Sequence, residues 1–300
     1  ISGFHLQQAG FLDELRALLA AHPNVPRGYL ELEVLESSAL EDIALVSAVI
    51  DASATLGVSF ALDDFGTGYS SLTYLKRLPA QVLKIDQSFV RDMLQDSDDL
   101  AILEGILGLA TAFRRTAIAE GVETVAHGET LLRLGCDLGQ GYGIARPMAA
   151  ADLPAWRQRW RPDPRWAHAH CLDRELMPVL IAGVEHRGWI VALGEHLDGR
   201  RDAPPPLDHH QCRFGQWLDK TIHQPRHAAT FATIETLHLR VHALAADLLK
   251  RRSQGHDVEA LAGMAELHAL WDALLVHLEY LLKDDPRSLA PSSGGGSNCR

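Results

Sequence analysis

The sequence predicts an α/β barrel-type domain followed by an all-α helical bundle. Up to about residue 155, short apolar runs typical of buried strands alternate with longer segments whose apolar residues follow a helical period. Beyond about residue 170 the strand pattern stops, and apolar residues recur three and four positions apart, as on a buried helix face. With 300 residues, the chain is long enough to form two separate cores.

Four strands are predicted in the α/β half, and helices alternate with them. The strands are placed at residues 29–35, 58–63, 82–86 and 116–119, and the helices at 11–21, 40–56, 71–78, 99–113 and 124–134. Ser70 and Ser71 are predicted to cap the helix that follows the second strand. A repeated strand–helix rhythm favours a parallel sheet, and a barrel if there are enough repeats.

Polar side chains recur at or near the ends of successive predicted strands. In a parallel barrel these ends converge on one face, which is where reactive groups gather. Two adjacent acids, Asp63 and Asp64, repel each other, and divalent metal ions would offset that repulsion. Simpler interpretations are an Asp-rich turn and a structural ion pair between Lys84 and Glu120. The recurring residues are Glu33, Asp63, Lys84, Glu120 and Gln140.

This mixture of acids, a lysine and an amide predicts a metal site that handles a phosphate. Carboxylate oxygens are ligands that suit Mg²⁺ or Mn²⁺. Two such ions can activate a water and stabilise the charge that develops in an in-line phosphoryl displacement.

Segments of the α/β half resemble the EAL domain, a family of TIM-barrel phosphodiesterases that linearise cyclic di-GMP to pGpG. The matching segments occur in the family's order, and they are Glu31–Glu36, Asp63–Gly68, Leu83–Asp86, Ala119–Thr124 and Gly139–Tyr142. The resemblance implies an EAL-type TIM barrel and a metal-dependent cyclic di-GMP hydrolase.

The resemblance also implies roles for the acids. Glu33 and Asp63 would bind metal directly, and Asp64 would hold the second of two Mg²⁺ or Mn²⁺ ions. Glu120 would complete the metal site or act as the base.

Further roles follow for groups near the ligand. Lys84 would position the water or the phosphate, and Gln140 would fix the loop and the ligand at the last strand. The turn Gly66–Gly68 matches a loop that is thought in this family to couple ligand binding to metal occupancy.

The chain departs from the family pattern at its start. The Glu-Ala-Leu segment of the first barrel strand and a conserved Asn are not found ahead of Ile1, and Phe4 stands where the family has Arg. By comparison with the family, we expect an incomplete barrel without its first strands and without two metal ligands. We therefore expect the 300-residue chain alone to be inactive, while its full-length parent hydrolyses cyclic di-GMP.

The domain boundaries are predicted from proline and glycine content. The EAL domain is placed at 1–155, a linker at 156–170, the helical bundle at 171–287 and a disordered tail at 288–300. Within the bundle, core-facing stripes predict helices at about 176–197, 231–248 and 258–283.

Four possible zinc ligands lie on separate predicted elements of the bundle. His186 lies on the first stripe, Cys212 follows a proline-rich loop, and His238 and His242 are spaced i, i+4 on one helix face. Three imidazoles and one thiolate suit tetrahedral zinc. Alternatives remain, because His209 and His210 adjoin Cys212 and any single buried histidine can simply be hydrogen-bonded in a core; His268 fits that description.

The patterns His186-x-x-Trp189, Cys212-Arg-Phe-Gly-x-Trp217 and His238-x-x-x-His242 resemble the chemoreceptor zinc-binding (CZB) domain. That family is a helical bundle with a three-His, one-Cys zinc site, and it is often dimeric. The resemblance implies a homodimer and zinc control of cyclic di-GMP turnover. Two alternatives are an inactive EAL domain that acts as a cyclic di-GMP receptor, and an EAL half that only transmits a zinc signal.

Composition narrows the partners and the location. The formal charge of −11 argues against binding to DNA or RNA. The apolar runs are shorter than the roughly 20 residues of a membrane span, and no signal-peptide pattern is present. The four cysteines show no disulfide-like spacing, so a cytoplasmic setting is expected.

Overall fold

The computed structural model describes residues 1–68, 72–173, 175–221 and 228–283. These residues divide into two units, of which the first comprises Ile1–Met93 and Asp98–Ala169. The second comprises Leu94–Ser97 and the chain from His170 onward. The predicted caps Ser70 and Ser71 and the predicted tail at 288–300 lie outside the described residues. The predicted order of an α/β half followed by a helical half is confirmed.

The first unit is built on a parallel four-stranded sheet in the order β1-β2-β3-β4. The strands are β1 Leu30–Leu35, β2 Val58–Phe65, β3 Val82–Ile85 and β4 Thr116–Ala119. All four residues of β3 are buried, as expected for an apolar strand inside a parallel sheet that is covered on both faces. A single parallel bridge from Ala119 to Gly139 continues the sheet beyond β4.

The helices of the first unit alternate with these strands, as predicted. They are α1 Gly3–Leu6, α2 Phe11–Ala21, α3 Glu36–Glu41, α4 Ile43–Thr55, α5 Leu72–Arg77, α6 Gln87–Asp92, α7 Ser97–Ala112, α8 Val125–Arg133, α9 Leu153–Arg159 and α10 Pro164–His168. The single helix predicted at 40–56 is wrong, because Asp42 lies between α3 and α4. Its side chain accepts a hydrogen bond from the Leu45 amide and so caps a new helix. The predicted linker at 156–170 contains most of α9 and all of α10.

The second unit is helical. Its helices are α11 Met177–Leu197, α12 Arg213–Thr221, α13 Ala228–Ser253, α14 Asp257–Ala262 and α15 Met264–Lys283. Buried side chains of these helices form one hydrophobic core, which includes Leu193, Phe214 and Ile234. The helix predicted at 258–283 is instead two helices separated at Gly263, where an added Cβ would lie 2.2 Å from the Leu248 side chain.

No helix among the described residues is long and apolar enough to cross a membrane. Cys136 and Cys212 are free thiols.

Candidate metal centres

The paired acids lie at an irregularity in the sheet. The register between β2 and β3 shifts between Leu62 and Phe65, so Asp63 and Asp64 together oppose the single residue Lys84. Asp64 has a φ of 53°, a left-handed conformation that Asp tolerates better than most residues. On a regular strand, neighbouring side chains point to opposite faces. The irregularity instead brings carboxylate oxygens of both aspartates within 4.8 Å of each other and of a Glu120 oxygen.

Lys84 joins three of the predicted acids. Its ammonium nitrogen lies 2.8 Å from Glu33 Oε1, 2.8 Å from Asp63 Oδ1 and 2.7 Å from Glu120 Oε1. The Lys84 side chain is 6% exposed, whereas that of Glu33 is 49% exposed. The ion pair between Lys84 and Glu120 is therefore present, but as one contact of a larger charged cluster at the carboxyl ends of β1 to β4.

The cluster changes the proton affinities of its members. Burial acts to lower the pKa of Lys84, but hydrogen bonds to Asp63, Glu120 and Glu33 outweigh it and hold that pKa well above its usual value. Burial raises the pKa of Glu120, and the Lys84 ammonium opposes this shift only in part. Burial also raises the pKa of Asp64, followed by the charges of Asp63 and Asp86.

Gln140 fixes the orientation of Glu120. Its side-chain amide donates to Glu120 Oε1 at 2.5 Å. The main chains of the two loops are also joined, because the Gln140 amide donates to Ala119 and the Val122 amide donates to the Gln140 carbonyl. Gln140 thus lies beside the predicted acid, as the strand order implied.

Two further acids contact this centre and had no predicted role. Glu36 is 3% exposed, and its Oε2 accepts a hydrogen bond of 2.9 Å from the Gly66 amide in the turn after Asp64. Asp86 shares a hydrogen bond with the Asp64 carboxyl and follows β3 directly. Both acids end segments that resemble the EAL domain and lie at or directly after the end of a predicted strand. This position was the signal from which a role could have been predicted.

The residues at this centre fit divalent metal ions. One lysine cannot neutralise four carboxylates, which leaves an excess of negative charge at close range. Hard carboxylate oxygens are the ligands that Mg²⁺, Mn²⁺ and Ca²⁺ prefer. Asp63, Asp64 and Glu120 offer oxygens close enough to share one ion, and Glu33 joins them through Lys84.

A second group of donors lies in the core of the helical unit. One ligand atom from each of His186, Cys212, His238 and His242 lies within 4.8 Å of the other three. His238 Nε2 is 3.1 Å from His186 Nε2 and 3.4 Å from Cys212 Sγ. The structure therefore brings together the four residues that the sequence singled out, which come from α11, α13 and the loop before α12.

Hydrogen bonds to the main chain orient these imidazoles. His186 Nδ1 is 3.1 Å from the Ala182 carbonyl, and His242 Nδ1 is 2.9 Å from the Leu207 carbonyl. Such bonds fix the tautomer and leave Nε2 free to bind a metal. His242 Nε2 is buried and has no hydrogen-bond partner among the described residues. An unpaired buried nitrogen costs stability, and a bound cation would remove that cost.

The surroundings keep the imidazoles neutral. Burial, followed by the neighbouring imidazoles, lowers the pKa of His186 to about 4 and that of His238 to about 2. Burial also lowers the pKa of His242 and raises that of the Cys212 thiol, although the Gly215 amide donates to Cys212 Sγ at 3.1 Å. Three neutral nitrogens and one sulfur are a donor set that fits tetrahedral Zn²⁺.

The alternative histidines lie outside this donor group. The His209 ring centroid is 6.1 Å from that of His238, and His210 instead pairs with Asp219 at 3.0 Å. His268 is exposed and bonds the Met264 carbonyl, so the expectation that it is a core histidine is wrong. The His268 ring faces solvent because it lies on a different face of α15 from the buried side chains of that helix.

Comparison with known proteins identifies the α/β unit. The family model of the EAL domain matches residues 1–147. Among solved structures, the EAL domain of Mycobacterium smegmatis DcpA is 37% identical at a TM-score of 0.50, over 54% of this chain and 72% of that chain. The chain belongs to the EAL-domain family. The predicted EAL-type barrel fold is thereby confirmed.

Two curated relatives share this EAL domain. The bifunctional diguanylate cyclase/cyclic di-GMP phosphodiesterase MucR of Pseudomonas aeruginosa is 44% identical over 52% of this chain and 22% of its own length. The cyclic di-GMP phosphodiesterase PA2567 of the same organism is 37% identical over 53% of this chain and 27% of its own length. The chain thus spans about a quarter of the length of these relatives.

The helical unit has a match of its own. Residues 186–249 match the family model of the chemoreceptor zinc-binding domain. This range contains all four members of the His/Cys group, from His186 to His242.

Proposed function

We propose that the EAL unit is the catalytic part of a metal-dependent cyclic di-GMP phosphodiesterase and that zinc binding in the helical unit regulates it. Its homologues are cyclic di-GMP phosphodiesterases by name. The observation that carries the proposal is the set of acids gathered around Lys84 at the carboxyl ends of the strands. A structural ion pair needs one acid, whereas this lysine contacts three.

The acids of this cluster are the proposed metal ligands. Glu33, Asp63, Asp64 and Glu120 would hold two Mg²⁺ or Mn²⁺ ions. When bound, such ions lower the pKa of a water and stabilise charge in an in-line displacement at phosphorus. The water oxygen bonds to phosphorus while the bond from phosphorus to the 3′ oxygen breaks, and the leaving 3′ oxygen takes up a proton from solvent, which yields linear pGpG.

Three side chains of the protein act on protons and charge. The partly buried Glu120 carboxylate has a raised pKa, which suits a group that accepts the proton of the attacking water. Gln140 holds that carboxylate in place through its amide. Lys84 retains its proton at neutral pH and supplies the positive charge beside which a phosphate oxygen can lie.

The proposal for the helical unit is one Zn²⁺ per chain, bound by His186, Cys212, His238 and His242. What supports it is the mutual proximity of the four donor atoms together with the unpartnered Nε2 of His242. A homodimer and a cytoplasmic location belong to the same proposal. Sedimentation of the zinc-loaded and chelated protein tests the oligomeric state.

The test of the catalytic proposal is hydrolysis of cyclic di-GMP with Mg²⁺ or Mn²⁺ by the whole gene product that contains these 300 residues. Asp63→Asn and Glu120→Gln are each expected to abolish pGpG formation while circular dichroism stays unchanged. Asp51→Asn is the matched control, because Asp51 is an exposed acid on α4. Wild-type turnover in the Asp63 variant would refute the site.

The receptor alternative predicts a different result in the same assay. A protein that binds cyclic di-GMP but releases no pGpG would favour a receptor over an enzyme. With Mg²⁺ kept in excess, adding Zn²⁺ or a zinc-selective chelator to the wild-type protein then measures the sign of zinc regulation. Identical turnover in both conditions would contradict regulation by zinc.

A further inference from the structure

The loop between β4 and α8 carries Glu120 and is held on one side by main-chain hydrogen bonds. It runs from Glu120 to Glu123, and Gly121 in it has a φ of 71°. On this side the Gly143 amide donates to the Val122 carbonyl at 2.8 Å, which joins the loop to the segment after Gln140. These bonds belong to the centre already described.

A buried histidine fastens the other side of the same loop. His127 is 6% exposed and lies in the first turn of α8. Its Nδ1 accepts a hydrogen bond of 3.4 Å from the Glu123 amide, and the ring also hydrogen-bonds the Gly121 main chain. Because Nδ1 is an acceptor, the ring must be neutral, and burial lowers the pKa of His127 although the charges of Glu123 and Asp92 act in the opposite direction.

The outer side of this turn is held by a tryptophan from the connecting segment. The Trp166 indole N–H donates to the Val125 carbonyl at 2.8 Å. The indole lies against Gly128, where an added Cβ would be 2.5 Å from a Trp166 ring carbon. A helix interior normally disfavours glycine. Here the missing side chain provides the space that the indole fills.

We propose that His127 and Trp166 are positioning residues for Glu120. His127 joins the catalytic loop to the first turn of α8, and Trp166 joins that turn to the segment leading into the helical unit. A change in the connecting segment therefore alters how firmly the Glu120 loop is held. An effect of this link on catalysis rests on the proposed phosphodiesterase activity, but the contacts themselves can be tested without substrate.

The decisive experiment is hydrogen exchange on the 300-residue chain with Gly128→Ala. Alanine favours the helix by about 1 kcal/mol in isolation, yet its Cβ displaces Trp166. We expect amide exchange to rise about fivefold to tenfold in residues 164–168 and 121–124, as loss of one hydrogen bond would give. The matched control is Gly108→Ala on α7, where an added Cβ meets no atom within 4 Å; this variant is expected to leave both segments unchanged.

Two outcomes of that experiment overturn the proposal. Unchanged exchange in 164–168 would show that Trp166 does not occupy the space above Gly128. Increased exchange in 164–168 with unchanged exchange in 121–124 would show that the turn does not transmit to the loop.

Substitution of His127 gives the independent arm. His127→Leu should raise exchange in 121–124, and His127→Gln should restore it, because a neutral amide also both accepts and donates. Equal exchange in the two variants would overturn the role of the ring.

In the whole gene product, Trp166→Ala should lower kcat with KM unchanged. Absence of turnover in the wild type would instead count against the phosphodiesterase proposal, and the exchange results would stand.

Discussion

The two donor clusters of this chain are assembled by opposite physical means. The acidic cluster is half open to solvent and is held together by charge, with Lys84 contacting three carboxylates. The His/Cys cluster is buried in a helical core, and its imidazoles are uncharged. In the acidic cluster the Lys84 ammonium supplies a positive charge among the carboxylates. In the imidazole cluster, His242 Nε2 has no hydrogen-bond partner among the described residues.

This difference implies different responses to metal loss. In the acidic cluster an internal ammonium neutralises part of the charge, so the fold should persist without metal. In the imidazole cluster, His242 Nε2 has no hydrogen-bond partner among the described residues, so the core should lose more when metal is removed. The following predictions test that contrast.

The largest effect is expected from Cys212→Ser in the helical unit. The thiolate is the softest and only anionic donor of the set, and loss of supporting groups alone typically costs 10–100-fold in metal affinity. We therefore expect zinc affinity to fall by well over about 100-fold, and His238→Asn to follow closely. Competition with a chromophoric chelator measures both affinities.

The control for this experiment is His268→Asn, because His268 is exposed and lies outside the donor group. It should leave zinc affinity unchanged. Full zinc content in the Cys212 variant, or loss of zinc only in the His268 variant, would overturn the ligand set.

Removal of the lysine should have the next largest effect, in the acidic cluster. Lys84→Met leaves three carboxylates facing one another, and loss of one partner of a buried ion pair costs about 3 kcal/mol. We expect the metal-free first unit to lose stability by that amount and Mn²⁺ to restore part of it. Urea unfolding with and without Mn²⁺ measures this effect.

Lys76→Met at the exposed end of α5 is the matched control and should change neither value. A Lys84 variant as stable as the wild type without metal would show that the ammonium does not hold the cluster together.

Acidification should affect the helical unit next. Free histidine titrates near pH 6.5, whereas burial and the neighbouring imidazoles lower the pKa of His186 to about 4. Well above pH 6.5 these imidazoles are neutral in both the folded and the unfolded state, so their contribution to stability does not change with pH. As the pH falls below this value, the unfolded state takes up protons first, and the chelated protein should lose about 2 kcal/mol from His186 alone by pH 5.

Hydrogen exchange in α11 and α13 of the chelated chain at pH 7.5, 6 and 5, corrected for intrinsic rates, measures this loss. His268→Asn should show the same dependence as the wild type, because its ring is exposed. Constant protection from pH 7.5 to pH 5 would mean that the imidazoles are not held neutral by burial.

The smallest effect concerns the turn after the paired aspartates. Glu36→Gln keeps an oxygen that can accept from the Gly66 amide but removes the charge, and charged hydrogen bonds exceed neutral ones by about 1 kcal/mol. We expect the first unit to lose about that much stability. Asp51→Asn, an acid-to-amide change at an exposed position, should cost less stability. An equal loss in both variants would show that the charge of Glu36 does not stabilise the turn.

The sequence by itself indicated most of the residues that the structure gathers at each centre. Strand periodicity put Glu33, Lys84 and Glu120 at successive strand ends, and helix periodicity put His238 and His242 on one face. These patterns are local, because side-chain direction repeats every two residues in a strand and every 3.6 in a helix. The fold class and the set of ten proposed ligand and catalytic residues followed from them and from the family resemblance.

Only the tertiary structure decided how these residues meet. It brought His186, Cys212, His238 and His242 within 4.8 Å of one another without His209. It also placed Asp63 and Asp64 together at a sheet irregularity and added Glu36 and His127 as hydrogen-bond partners. The break at Gly263 likewise depends on the approach of a distant leucine. Each of these features is a contact between residues far apart in the chain, and its free energy comes from burial and hydrogen bonding that exist only after the elements have packed.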